Sequence, residues 1–552
     1  MSSPADKLPE KFNAAEYFID RHLREGRGEK PAIECGERRV TYAGLHASVN
    51  RTGNALLELG VRMEERVFLL LQDGPEFFYS FFGAIKIGAV PVPVNTLLKP
   101  ADYEFLLNDC RARVAIVSQA LLPNLEEIPA GKVRFLQHVV VVHPWHASEV
   151  SKVSEVSDGV EIALKHPKPL KPSKPLQLDF AILTDHHSGQ LDPAPTHKDD
   201  ACFWLYSSGS TGFPKGCVHL QHDMVVTSEL YAKQVLGIGE DDRFFSVAKL
   251  FFAYGLGNAG YFPLAVGGTS ILLPGPPTPV AVFEIIEKHR PSLFFSVPSN
   301  FAALLAHTRA AARALHDFDL SSVRWAVSAG EALPAAIFER FRQRFGVQIL
   351  DAIGSTEALH MFIANAPGAV RPGSSGRLIP GCEARILDEH GAPVPTGEIG
   401  NLYIQSDAVC SCYWNQHEKT KGTIEGHWIR TGDKYRQDED GYYWYAGRSD
   451  DMLKVSGVWV SPTEIEATLI EHPEVQEVAV VGRRDGDNLL KPAAYVVLRD
   501  GVSGGDTIAR ELQQFVISRL AVYKRPRWIE FVPELPKTAT GKVQRFKLRQ
   551  RA

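Results

Sequence analysis

The sequence predicts an α/β fold of mostly parallel sheets flanked by helices. Three observations carry that reading. Amphipathic helical stretches alternate with short apolar runs from about residue 40 to 200 and again from about 290 to 350, the rhythm of strand–helix–strand units. A Ser/Gly-rich loop directly follows one of those apolar runs, and open parallel sheets place ligands beyond the carboxyl ends of their strands. The composition, 44% hydrophobic and 23% charged, is ordinary for a soluble globular protein.

Along the chain, Thr41 reads as the cap of a helix running to Leu57. Val67–Leu71 and His138–His143 read as buried strands, and Ser292–Val297, Val323–Val327 and Val347–Leu350 continue the series. The segment 144–198 holds the Pro/Lys-rich run His166–Pro175 and reads as a surface excursion without a catalytic role. The polar, flexible stretch Ala446–Asp451 marks a boundary. We therefore expect a large domain over 1–448 and a small one over 449–552.

Charge and cysteines narrow the setting. A net charge of −5 argues against nucleic acid or an anionic membrane as the main partner. Seven cysteines without a Cys-x-x-Cys pair fit a reduced interior better than a disulfide framework. The N-terminus is charged where a leader would be apolar, and no apolar run reaches membrane-spanning length. The expected location is the cytoplasm.

The chemistry concentrates in Tyr206-Ser207-Ser208-Gly209-Ser210-Thr211-Gly212-Phe213-Pro214-Lys215-Gly216, after the predicted strand Cys202–Tyr206. Glycines let the backbone bend around a ligand, and successive N–H groups with hydroxyls and an ammonium make a nest for phosphate oxygens. It is not a Walker A loop, because Lys215 follows proline and precedes glycine. Such composition usually means an exposed Ser/Gly turn, and alone the loop favours phosphate binding only moderately. Four further clusters stand beside predicted strand ends: Gly354-Ser355-Thr356-Glu357, Arg430-Thr431-Gly432-Asp433, Gly447-Arg448-Ser449-Asp450-Asp451 and Gly541-Lys542.

In this order these clusters resemble the adenylate-forming superfamily of acyl-CoA synthetases, carrier-protein adenylation domains and luciferases, over about residues 15–549. The flanking text Lys249–Asn258 and Asp351–Phe362 looks most like benzoate-CoA ligases. The resemblance implies a large domain of parallel sheets with a β-barrel-like subdomain, and a mobile α+β C-terminal domain. It implies two steps: a carboxylate attacks the α-phosphorus of ATP, and coenzyme A then displaces AMP from the acyl-adenylate. Carried over residue by residue, it places Ser207 to Lys215 around the β- and γ-phosphates and Thr356 on the α-phosphate. Glu357 would hold Mg²⁺, and Asp433 and Arg448 the ribose. Gly330, Glu331, Ala332, Asp351, Ala352 and Ile353 would enclose the adenine. Lys542 would be the catalytic lysine of adenylation and Asp450 the hinge. Lys454, Ser456, Gly457, Trp459, Tyr523, Arg525 and Arg527 would contact coenzyme A, although the last three read equally as a solvated basic loop.

Amino-acid-activating relatives carry an aspartate where this chain has Phe252, and an ammonium buried against phenylalanine is costly. The implied acid pocket is Phe252, Ala253, Tyr254, Ala329, Gly330, Ile353, Gly354 and His360, which suits a flat ring. The expected substrate is benzoate or a close aromatic acid. Hydroxy- or aminobenzoate, and the loading of a carrier protein, stand as alternatives. The resemblance also leaves room for a homodimer and for a lysine acetyltransferase acting on Lys542.

Overall fold

A computed structural model describes residues 3–129, 131–144, 175–207, 214–307, 318–449, 451–455, 458–486, 489–537 and 543–550. They fall into two compact units, Leu8–His222 with Leu250–Phe252, and Asp223–Lys249 with Ala253 onward and the first residues of the chain. The residues after 448 belong to the same unit as 253–448.

In the unit of Leu8–His222, a five-stranded parallel sheet runs in the spatial order Val90–Pro93, Arg66–Leu70, Val114–Ser118, His138–Val142, Leu176–Asp179. Its strands other than the edge strand Leu176–Asp179 are largely buried apolar runs, because helices cover both faces of such sheets. Helix Tyr42–Glu58 starts where expected, with Thr41 Oγ1 accepting the Gly44 N–H at 3.1 Å. It packs against the almost wholly buried helix Pro75–Lys86. The two helices meet at glycines: a Cβ on Gly83 would stand 3.0 Å from the Val49 carbonyl oxygen. The 144–198 excursion needs correcting in its second half. Leu176–Asp179 completes the sheet, Asn50 Nδ2 donates to the Gly189 carbonyl at 2.8 Å, and the Ala194 N–H donates to the Lys86 carbonyl at 2.7 Å. The Pro/Lys-rich run itself lies outside the described residues. Strands Ala201–Ser207 and Lys215–Leu220 pair antiparallel and carry the Ser/Gly loop between them.

In the other unit, parallel strands stand in the order Thr269–Leu272, Arg243–Ser246, Leu293–Ser296, Trp325–Ser328, Ile349–Gly354. Met361–Ala364 and Arg377–Leu378 extend them antiparallel. Phe245, Phe294, Phe301, Phe338 and Phe341 pack beneath this sheet, each contributing roughly 1.5–3 kcal/mol through burial. An antiparallel sheet follows, built on Glu383–Leu387, Gly400–Gln405, Trp428–Gln437 and Tyr443–Arg448. Beyond it, strands Val475–Arg484, Leu490–Leu498 and Trp528–Phe531 form a mixed sheet covered by helices Pro462–Leu469 and Asp506–Ile517. This C-terminal part has its own core of Val460, Ile465, Leu469, Val480, Val496, Leu512 and Val516. Among the described residues no helix is long and apolar enough to cross a membrane.

Candidate active site

The carboxyl end of Ile349–Gly354 organises the site in this unit. Asp351, Ala352 and Ile353 lie on the strand, and the chain then turns through Thr356 and Glu357 and returns at His360. The return is tight enough to require glycine: a Cβ on Gly354 would sit 2.3 Å from the His360 carbonyl oxygen. Glu357 is in this turn rather than in a helix. The Tyr413 hydroxyl donates to its Oε1 at 2.8 Å, and the Cys410 N–H donates to its carbonyl at 2.7 Å.

His360 is buried among rings. Its centroid is 4.5 Å from Phe262, 5.3 Å from Tyr231 and 5.9 Å from Tyr254. A chain of hydrogen bonds fixes its tautomer. The Ala248 carbonyl can only accept, and takes the Ser246 hydroxyl at 3.1 Å. Ser246 Oγ in turn accepts from Asn258 Nδ2 at 3.5 Å, so Asn258 presents Oδ1 to His360 Nε2, 3.2 Å away. Nε2 therefore carries the proton and Nδ1 a lone pair. Burial pushes the imidazole down to about 3, against a small opposing pull from the Tyr254 carbonyl, so the ring is neutral.

Nδ1 and the neighbouring Tyr231 Oη are buried polar atoms with no hydrogen-bond partner among the described residues. Burial also raises the Asp351 carboxyl well above the usual carboxylate range. Native structures rarely leave such groups unsatisfied, and a cluster of them marks a place for water or a ligand. Tyr231 and Asn258 sit in π-helical turns, Ser228–Lys233 and Leu256–Tyr261, a distortion frequent at functional sites. Tyr231 carried no sequence signal, since a buried aromatic on a helix usually means core. The Tyr254 hydroxyl lies 3.2 Å from the Ser296 carbonyl and 3.1 Å from the Val327 carbonyl. Its single proton is engaged there. Ala253, next to Tyr254, and Ala329, which follows strand Trp325–Ser328, are buried, and Gly330 comes next with a left-handed φ of 92°.

Asp433 lies inside strand Trp428–Gln437 rather than after it, opposite Arg448 on Tyr443–Arg448. Arg448 Nη1 donates to Asp433 Oδ1 and to the Thr431 carbonyl, both at 3.1 Å. Gly432, at φ 77°, lets the guanidinium pass; a Cβ there would stand 2.7 Å from Arg448 Nη2. Glu331 accepts the Val543 N–H on Oε1 at 3.3 Å, which brings the residue after Lys542 to the loop following Trp325–Ser328.

Ser207, Lys215 and Phe252 belong to the other unit. Ser207 and Lys215 face each other across the two strands at the base of the loop, and Tyr206 donates to Asp109 Oδ2 at 2.6 Å. Ser208, Gly209, Ser210, Thr211 and Gly212 lie outside the described residues, as do Asp450, Ser456, Gly457 and Lys542. Lys454 and Trp459 pair across the hairpin Leu453–Val455/Val458–Val460. Tyr523 and Arg527 are exposed, and the cation beside them, Lys524, is held by both oxygens of Glu464 at 2.7 Å.

The comparisons with known proteins agree with this architecture. Residues 20–414 match the model of the AMP-binding enzyme family and 464–542 that of the AMP-binding enzyme C-terminal domain, and the chain belongs to this family. It is 48% identical to the benzoate-CoA ligase of Thauera aromatica, over 99% of this chain and 97% of that one. Among solved structures, an anthranilate CoA ligase in complex with anthranoyl-AMP superposes with a TM-score of 0.89 at 43% identity, covering 100% of this chain and 99% of that one. A benzoate CoA ligase from Burkholderia xenovorans gives 0.85 at 43% identity, covering 98% and 100%.

Proposed function

We infer that the protein is an ATP-dependent acid–thiol ligase that joins a small aromatic carboxylate to coenzyme A through an acyl-adenylate. The observation that carries the aromatic reading is the ring-lined cluster of Tyr231, Tyr254, Phe262 and His360 at the end of Ile349–Gly354. Benzoate is the first substrate, supported by the near-full-length likeness to a benzoate-CoA ligase. An aromatic acid bearing a hydroxyl or amine is the second, favoured by the lone pair of His360 Nδ1, which can accept from such a donor.

The chemical difficulty is the approach of two anions while charge grows on phosphate, so positioning and charge stabilisation do most of the work. Ser207 to Lys215 hold the departing pyrophosphate. Thr356 donates to the α-phosphate, the Asp433–Arg448 pair binds the ribose, and Lys542 offsets the charge that appears in the transition state. Glu357 fits Mg²⁺: it is a carboxylate oriented by Tyr413, and among the described residues no group of three or more metal-ligating side chains gathers. Mg²⁺ takes one or two carboxylates and completes its shell with water and phosphate oxygens; bound there it would neutralise phosphate charge. After adenylation the domain 449–552 turns about Asp450, withdrawing Lys542 and bringing in the Lys454–Trp459 hairpin and the Tyr523–Arg527 surface for coenzyme A. The cytoplasm, where ATP and coenzyme A are at hand, is the location this reading requires. A homodimer and acetylation of Lys542, which would remove its charge, are compatible with it.

The test is pyrophosphate release over benzoate, 2- and 4-substituted benzoates, cinnamate, acetate and hexanoate, followed by thioester formation with free coenzyme A. Aromatic acids should be turned over without any protein acceptor. Release with acetate or hexanoate alone, or thioester only on an added carrier protein, would refute the reading.

A further inference from the structure

The described residues on either side of 538–542, a stretch of sequence that ends at the candidate catalytic lysine, are joined to one another. Lys537 and Val543 form an antiparallel bridge, and the Gln544 N–H donates to the Pro536 carbonyl at 2.7 Å. Two residues beyond Val543, the partly buried Arg545 is clamped by both oxygens of Glu466 at 2.8 and 2.7 Å. Glu466 Oε1 also takes the Val480 N–H at 2.7 Å. This junction is thus fixed to the C-terminal sheet. A further bond leaves the C-terminal part: Glu331 Oε1 accepts the Val543 N–H at 3.3 Å across 212 residues of sequence.

Glu331 follows Gly330 in the loop after strand Trp325–Ser328, the end of a parallel sheet where ligands bind. Arg545 feels Glu466 most strongly, with smaller contributions from Tyr445 and Glu331. The same carboxylate therefore meets this segment through a backbone N–H and through charge. Val543 is joined covalently to Lys542, so this bond acts one residue from the candidate lysine.

We propose that Glu331 is a positioning residue for adenylation: by accepting the Val543 N–H it ties the residue that follows Lys542 to the loop after Trp325–Ser328. This rests on the role given to Lys542 above and differs from the expectation that Glu331 encloses adenine. An adenine contact acts on nucleotide affinity in both half-reactions. A latch on Val543 acts on the fraction of molecules with the lysine in place, and so on the adenylation rate alone.

The experiment compares wild type with Glu331→Ala and Glu331→Gln in the full chain. Hydrogen exchange over 543–550 reports the latch without any substrate. In Glu331→Ala it should speed up by about ten- to a hundredfold, the value of one hydrogen bond to a charged acceptor. Glu331→Gln, which keeps an acceptor oxygen, should fall in between. Pyrophosphate release should drop by a similar factor at unchanged KM for ATP, while chemically prepared acyl-adenylate is converted to thioester at the wild-type rate. Unchanged exchange in both variants would overturn the latch. So would a rise in KM for ATP with kcat intact, or an equal loss in the two half-reactions. If wild type activates no aromatic acid, the proposed function fails, yet the exchange measurement still decides the contact.

Discussion

At the scale of single residues, burial decides which charges the protein carries. His360 is neutral in the fold because burial holds it near 3, whereas an exposed histidine protonates near 6.5. Below about 6.5 the unfolded chain binds a proton that the folded chain does not, so this group's contribution is lost as pH falls from about 6.5 towards 3. The expected slope is about 1.4 kcal/mol per pH unit. His360→Gln should flatten that limb, checked by urea unfolding at pH 7 and pH 5; the same difference in both proteins would refute a neutral buried imidazole. A buried charge that is kept behaves differently. Lys86, 1% exposed, contacts Asp20 at 2.7 Å and Asn50 at 2.5 Å. Asp20→Ala strands that ammonium and should cost about 3–5 kcal/mol. Adding Lys86→Met should recover most of it, and a double-mutant cycle of thermal melts measures the coupling.

At the scale of elements, the sheet end at Gly354 carries the most consequence per atom. Gly354→Ala would push a methyl group into the His360 carbonyl, so the turn must open at a cost of about 1–3 kcal/mol. His360 and the Thr356–Glu357 turn shift with it. The expected result is a modest fall in melting temperature and a large loss of kcat/KM for every acid tested; a change for substituted acids only would confine the effect to the pocket wall. Elements were also where sequence reasoning did best. The strands around Val67, His138, Leu293 and Ile349 were visible as apolar runs because parallel strands are buried on both faces, and Thr41 announced its helix by its hydroxyl. Asp433 was misplaced relative to its strand because the pairing partner, Tyr443–Arg448, prolongs Trp428–Gln437 past the apolar residues. The strand Leu176–Asp179 was hidden for a related reason: it lies at a sheet edge and half exposed, after a proline-rich run. The chemistry-bearing motifs were legible as residue types. Tyr231, the Asn258–Ser246 relay and the Glu331–Val543 bond were not, because each depends on contacts between segments far apart in sequence or on a local π-helical turn that leaves no compositional trace.

At the scale of the whole molecule, the proposed reaction asks one chain to present two different sets of groups to one nucleotide. The C-terminal part has a core cluster of its own, with Val460, Leu469, Val496 and Leu512, which the proposed turn would leave intact. Its entry is short, since strand Tyr443–Arg448 ends one residue before Ser449 and the next strand begins at Leu453. The proposed turn would therefore fall on the few residues between these strands, a stretch that includes Asp450 in the sequence. Proline fixes φ near −65° and also restricts the residue before it, so Asp450→Pro should freeze one orientation while leaving both domains folded. If that orientation is the one in which Lys542 faces the α-phosphate, pyrophosphate release in a single turnover remains near wild type. Thioester formation from supplied acyl-adenylate then falls by orders of magnitude. Lys542→Ala is the mirror image: adenylation slows by about 2–4 kcal/mol of transition-state stabilisation, and conversion of supplied acyl-adenylate is intact. The two variants must fail in opposite half-reactions, because one removes a charge needed before the turn and the other removes the turn. Loss of the same half-reaction in both, or normal steady-state turnover in Asp450→Pro, would mean that the domain does not alternate and that both steps use a single arrangement.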